Sequence, residues 1–148
     1  MPDDSFRTFL ERSFDALRRE VPEAYDEMCG RLSTRTLLLL VDGERVVVRF
    51  ARDDARIVDS GERSAVEMRT TRKTILDVID AKSTLMSSVL ADRLLLTGTP
   101  RDVLAFHDGL MAYVHGAVRA RSFPALLRQF RQRRPRTPKR RSGVEEKS

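Results

Sequence analysis

The two histidines, His107 and His115, lie eight residues apart in one stretch of helical pattern, PRDVLAFHDGLMAYVHGAV. At about 100° per residue they stand about 80° apart around the helix axis. A His-x3-His spacing would place two imidazoles on one edge for a metal; this spacing does so poorly, and no carboxylate or cysteine motif completes a set of ligands. The expectation is two packed or hydrogen-bonded imidazoles and no metal. The single cysteine, Cys29, excludes an intramolecular disulfide and a cysteine-based zinc site. No histidine near it in sequence could serve as a base, so it reads as a small helical residue rather than a nucleophile. Asp53 and Asp54 are adjacent carboxylates in what reads as a turn, where solvation explains them better than acid/base work. Gly-x-Ser-x-Gly, phosphate-loop and dinucleotide-glycine patterns are absent. The residue types predict a protein without catalytic activity or a cofactor.

The chain has 148 residues, 41% of them hydrophobic and 34% charged, which suits one domain with one core. No stretch approaches the roughly 20 apolar residues of a membrane span, and MPDDSFRTF lacks the basic-then-apolar order of a secretory signal. These features predict a cytoplasmic protein. The formal charge of +6 is unevenly spread. Residues 1–118 hold 17 basic and 20 acidic side chains, whereas residues 119–148 hold 11 and 2. Any electrostatic partner is therefore expected at the C-terminal end.

Two kinds of periodicity organise the chain. Ser5 can cap a helix to about Glu20, with Phe6, Phe9, Leu10, Phe14 and Leu17 at helical spacing. Pro22 opens a second helix through Met28, which Gly30 should end. TLLLLVDGERVVVRFA then reads as two strands around Asp42-Gly43, with Val46, Val48 and Phe50 on one face and Arg45, Val47 and Arg49 on the other. That alternation predicts a sheet with one well-buried side. Further strands are expected near Arg56 to Asp59, at Ala65 to Thr70 and at Arg93 to Thr97, with a turn at Ser60-Gly61. Between the last two strands, TRKTILDVIDAKSTLMSSVL holds two short helices hinged at Asp80-Ala81-Lys82, with Thr71 and Ser83 as N-caps. Helices this short need their apolar side chains to rest on something. A long helix starts at Thr99-Pro100-Arg101-Asp102 and runs to about Val118.

This long helix has two apolar faces. Val103, Phe106, Leu110, Met111, Val114 and Val118 form a face of large residues, and Ala105, Gly109, Ala112 and Gly116 a face of small ones almost opposite. The small face can receive another backbone closely, either by packing within the chain against the N-terminal helix or in a homodimer. From Arg119 to Arg141 there are ten Arg/Lys and no acidic residue. Phe123, Leu126, Leu127 and Phe130 mark one side of a last helix over 122–134, followed by a basic disordered tail over 135–148. Three uses of this end remain open: a cap on the core, contact with an anionic membrane through Arg128, Arg131, Arg133, Arg134 and Arg136, or binding of nucleic acid. With Phe123 and Phe130 as the only aromatics there, base stacking is poorly served.

The segment AVEMRTTRKTILDVIDAKSTLMSSVLADRLLLTGTPRDVLAF resembles the sterol-carrier-protein, or non-specific lipid-transfer, family. It has that family's alternating strand, a Ser/Thr-led helix, a second helix, a short strand ending in Gly and a closing helix, and the likeness extends from about Leu37 to Val118. It departs at Asp80-Ala81-Lys82, where many members have a Gly-Lys-like step, and at Gly98-Thr99, where many have Gly-Asp. The resemblance implies an α/β (α+β) domain over 1–134 with core 36–118, whose single, mostly antiparallel five-stranded sheet is covered by helices. It implies binding or transfer of a lipid or fatty-acyl ligand in an apolar tunnel. Phe50, Met68, Ile75, Ile79, Leu85, Met86, Val89, Phe106, Leu110 and Met111 are the residues expected to line that tunnel, where methionines suit an adaptable wall. The alternative is a dimeric interaction module with a filled cavity, acting through its Arg-rich C-terminus on nucleic acid or an acidic partner.

Overall fold

Asp42 and Gly43 both take positive φ, 50° and 85°, the backbone of the two-residue turn whose twist matches that of the strands it joins. The computed structural model describes residues 5–59 and 63–131, and the hairpin around this turn is its centre. Strands β1 (Thr36–Val41) and β2 (Glu44–Ala51) flank the turn, and β3 (Asp54–Val58) pairs with the far side of β2. β4 (Val66–Thr70) lies parallel to β1, and β5 (Leu95–Gly98) runs antiparallel along β4. The order is β3-β2-β1-β4-β5, with three antiparallel pairings and one parallel. The third and fifth strands start and end one or two residues away from their expected limits, and Asp54 belongs to β3 rather than to a turn. The expected turn at Ser60-Gly61 lies outside the described residues.

Helices α1 (Phe6–Glu20), α2 (Pro22–Arg31) and α5 (Pro100–Ala117) pack on one side of the sheet; α3 (Arg72–Ile79) and α4 (Leu85–Leu90) bridge β4 and β5; α6 (Phe123–Arg131) packs on α1. Their starts have local causes. Ser5, Thr71 and Thr99 each accept a hydrogen bond from the backbone N–H three residues on, and Pro100 occupies the first turn of α5. The Glu44 carboxylate on β2 also accepts the N–H groups of Phe6 and Arg7 at 2.9 and 3.0 Å, so the hairpin fixes the start of α1. Gly30 does not end α2: the helix runs on to Arg31, and Leu32 is buried to 2% against the core. Burying Leu32 outweighs the weak preference of one glycine for a helix end. The cap of α4 is Thr84 rather than Ser83, because Thr84 and Ser87 satisfy each other's backbone N–H in a capping box.

Carboxylates hold both ends of α6. Glu20 accepts the N–H of Ser122 at 2.8 Å and its hydroxyl as well, and Asp80 receives both terminal nitrogens of Arg131 at 2.6 and 2.8 Å. Hydrogen bonds from Ser122 lower the Glu20 carboxyl below its ordinary 4.5, and those from Arg131 lower Asp80 below 3.8. Since both values fall on folding, the stabilisation is complete above the ordinary values and is lost as pH falls through the folded-state ones. Lowering the pH from 6 to 3 is thus expected to strip hydrogen-exchange protection from α6 at a higher pH than from β1 and β2. The double variant Glu20→Gln/Asp80→Asn should show the loosened α6 already at neutral pH; equal protection in both proteins would refute the assignment.

Candidate functional site

Between the inner face of the sheet and its helices lies a cavity of about 100 Å³. The alternation of β1, β2 and β4 sends Leu37, Leu39, Val48, Phe50 and Met68 into it. From the opposite side, α1 contributes Phe6, Phe9, Leu10 and Phe14, and α5 contributes Phe106, Leu110, Tyr113 and Val114. Helix α3 covers it with Ile75, Val78 and Ile79, spaced so that one face of eight residues meets the space beneath. The hydroxyl of Tyr113 is already engaged, donating to Ser13 Oγ at 2.8 Å, and Ser13 donates in turn to Leu10 O. Burial raises the Tyr113 pKa, so this phenol stays neutral. The lining can therefore accept an apolar group and gives it little to hydrogen-bond.

Six of the ten residues expected in a tunnel, Phe50, Met68, Ile75, Ile79, Phe106 and Leu110, are brought together here. Met86, Val89 and Met111 do not line the cavity, and the side chain of Leu85 lies outside the described residues. Met86 is 65% exposed, and Leu90, one turn on, is 77% exposed. The reason is that α4 turns Ser88 inward while Ser87 stays exposed. Ser88 is fully buried, donates to Thr84 O at 2.9 Å and lies 3.0 Å from Ser83 Oγ, and Arg93 donates to the same Ser83 hydroxyl. These hydroxyl bonds outweigh the burial of Met86 in a helix of six residues. The phenylalanines of α1 were missed as wall residues, although their helical spacing announced a wide apolar face.

The other candidate positions fall elsewhere. A Cβ on Gly116 would come within 2.5 Å of Ala24 Cβ and 2.8 Å of Leu17 Cδ2, and one on Gly109 within 2.5 Å of Leu32 Cδ1. The small face of α5, with Ala112 buried and Ala105 half-buried, is thus used inside the chain against α2 and α1, which removes it as a homodimer surface. Phe123 and Phe130 of α6 are buried against α1, so this helix caps the core. Arg128 is exposed and Arg131 is paired with Asp80; Arg133, Arg134 and Arg136 lie outside the described residues. Burial pushes the Cys29 thiol up to about 11, which makes it a poor nucleophile. Among the described residues no group of His, Cys, Asp and Glu could hold a metal, and no helix is long and apolar enough to cross a membrane.

A mixed five-stranded sheet with its helices on one side, a short two-helix crossing between β4 and β5, and an apolar space beneath it make an α+β fold like that of sterol carrier proteins. Solved structures share this fold. A crystal structure of sterol carrier protein 2 matches with a TM-score of 0.53 and 16% identity over 74% of this chain and 92% of that one. The solution structure of sterol carrier protein domain 2 of Helicoverpa armigera matches with a TM-score of 0.53 and 12% identity over 74% and 88%. The UbiJ-SCP2 ubiquinone synthesis protein matches with a TM-score of 0.52 and 16% identity over 67% and 87%. No protein-family profile and no curated protein matches the chain.

Proposed function

We propose that this domain binds a lipid or fatty-acyl chain in the cavity and carries it without chemical change. The observation that supports this most is the cavity itself, an apolar space walled by α1, α3, α5 and the sheet. Its 100 Å³ is less than the roughly 150 Å³ of an apolar cavity that holds benzene, so a chain enters only if the covering helix moves. Helix α3 is tied to α6 at both ends. Asp80 holds Arg131, while the Arg72 guanidinium donates to Phe130 O at 3.2 Å and lies 4.0 Å from the centre of the Phe130 ring. Anionic headgroups that draw Arg131 from Asp80 would loosen this tie, with Arg128, Arg133, Arg134 and Arg136 adding to the attraction. Loading would then be coupled to contact with a membrane in the cytoplasm.

Native mass spectrometry of protein purified from cells, with lipid extraction, tests the reading alongside uptake of a fluorescent fatty acid. An acyl lipid should copurify, and Ile79→Phe, which fills the space from the lid, should reduce probe uptake at least tenfold with an unchanged melting temperature. A clean apo mass with no probe uptake, or full uptake by Ile79→Phe, would overturn it. The small volume of the cavity favours a second reading, in which the fold is kept, the space is simply core, and the basic end binds nucleic acid or an acidic partner. Salt-sensitive RNA binding that disappears when residues 132–148 are removed, in a protein without lipid, would support that reading.

A further inference from the structure

Helix α5 buries Phe106, Gly109, Ala112, Tyr113, Gly116 and Ala117 against the rest of the fold. The outward face of a surface helix is ordinarily polar or charged. Here it is apolar along its centre. At about 100° per residue, Leu104, Met111 and Val118 fall within about 40° of one line, turned away from the buried residues. None of the three belongs to the core cluster or packs against it, and Leu104 and Val118 are 61% and 63% exposed. His107 and Val114 flank this line on one side, Asp108 and His115 on the other, so the stripe holds no Lys or Arg.

The stripe matches itself when turned end over end. Leu104 and Val118 stand seven residues before and after Met111, about 10.5 Å each way along the axis, and His107 and His115 four residues, about 6 Å, each way. We propose that a second copy of this chain packs its α5 antiparallel on this face, with the two-fold axis at Met111. That rotation sets Leu104 level with Val118 of the partner subunit and His107 beside Val114 of the partner subunit. It also brings Asp108 beside the partner's His115 on the same side of the seam. Asp108 meets its own His107 at 3.3 Å through Oδ1, which leaves Oδ2 for the imidazole N–H of the partner's His115. Each pairing occurs twice, as an isologous interface requires. Arg101 comes near the partner's Arg119, a like charge that the Arg119–Glu23 pair at 3.5 Å reduces. An anionic membrane or a nucleic acid fits less well, because the stripe offers it no Lys or Arg. A seam of one helix pair lies below the roughly 1,200 Å² of stable complexes, so the dimer is a weak, reversible one.

Sedimentation of the full chain from micromolar to millimolar concentration should show a reversible monomer–dimer equilibrium. Leu104→Glu/Val118→Glu should raise the dissociation constant at least tenfold with an unchanged melting temperature, since both side chains are exposed in the monomer. Asp108→Lys should weaken the dimer, and adding His115→Asp should restore it, because the exchanged charges meet only across an antiparallel pair. Mild oxidation should link Met111→Cys to its own symmetry mate. Leu104→Cys should stay unlinked, its two copies being about 21 Å apart along the seam, and the native Cys29 is buried. A monomer at every concentration, a dimer that Leu104→Glu/Val118→Glu leaves intact, no rescue by His115→Asp, or equal linking of the two cysteine variants would overturn the proposal. Each of these outcomes is independent of whether a lipid occupies the cavity.

Discussion

Phe130→Ala is expected to destabilise the protein by about 3 to 5 kcal/mol, the usual cost of emptying a buried phenylalanine site. The Phe130 ring stacks on Phe9 at 4.2 Å, tilts against Phe6 at 6.2 Å and lies beneath the Arg72 guanidinium, with 1% of the residue exposed. At roughly 2 to 4 °C per kcal/mol for a chain of this size, the melting temperature should fall by about 10 °C. The loss should also loosen α3, since Arg72 would lose its ring and its carbonyl partner would move with α6. Urea unfolding gives the free energy, and hydrogen exchange should report faster opening over both helices. A cost below about 1 kcal/mol would mean that α6 is not held in the core in solution.

Gly116→Ala should also destabilise, by about 1 to 3 kcal/mol, even though alanine is the better helix former by about 1 kcal/mol. The added methyl meets Ala24 Cβ at 2.5 Å, an atom fixed to the α2 backbone, so α2 must shift away from α5 to admit it. Leu17 Cδ2, at 2.8 Å, belongs to a residue with no exposure and has little room to turn. Thermal unfolding of Gly116→Ala, Ala24→Gly and the double variant isolates the contact. In the Ala24→Gly background the added methyl should cost clearly less than in the native chain; strictly additive effects would contradict a direct clash. Gly116→Leu should exceed either single change.

What was legible in the sequence shares one property: it is decided within a few residues. The Asp42-Gly43 turn, the caps at Ser5, Thr71 and Thr99 and the inward set Val46, Val48 and Phe50 follow from backbone sterics, local hydrogen bonds and the period of a strand. The errors arise where a local preference meets a distant partner. Gly30 signals a helix end, but burial of Leu32 carries the helix past it. Met86 has a side chain suited to a wall, but the Ser83, Thr84 and Ser88 hydroxyl bonds turn the other side of α4 inward.

By itself, the sequence determined the succession of elements, the two-sided character of α5 and a sheet with one buried face, because these depend on periodicity and capping. Only the tertiary structure decided what each face meets. It placed the small residues of α5 against Ala24, Leu17 and Leu32, joined α6 to α3 through Arg131 and Asp80, and brought the α1 phenylalanines into the cavity wall. It also set the cavity at about 100 Å³, which is the small remainder left when two packed layers approach. That remainder depends on every side chain of both layers at once, and no local pattern along the chain encodes it.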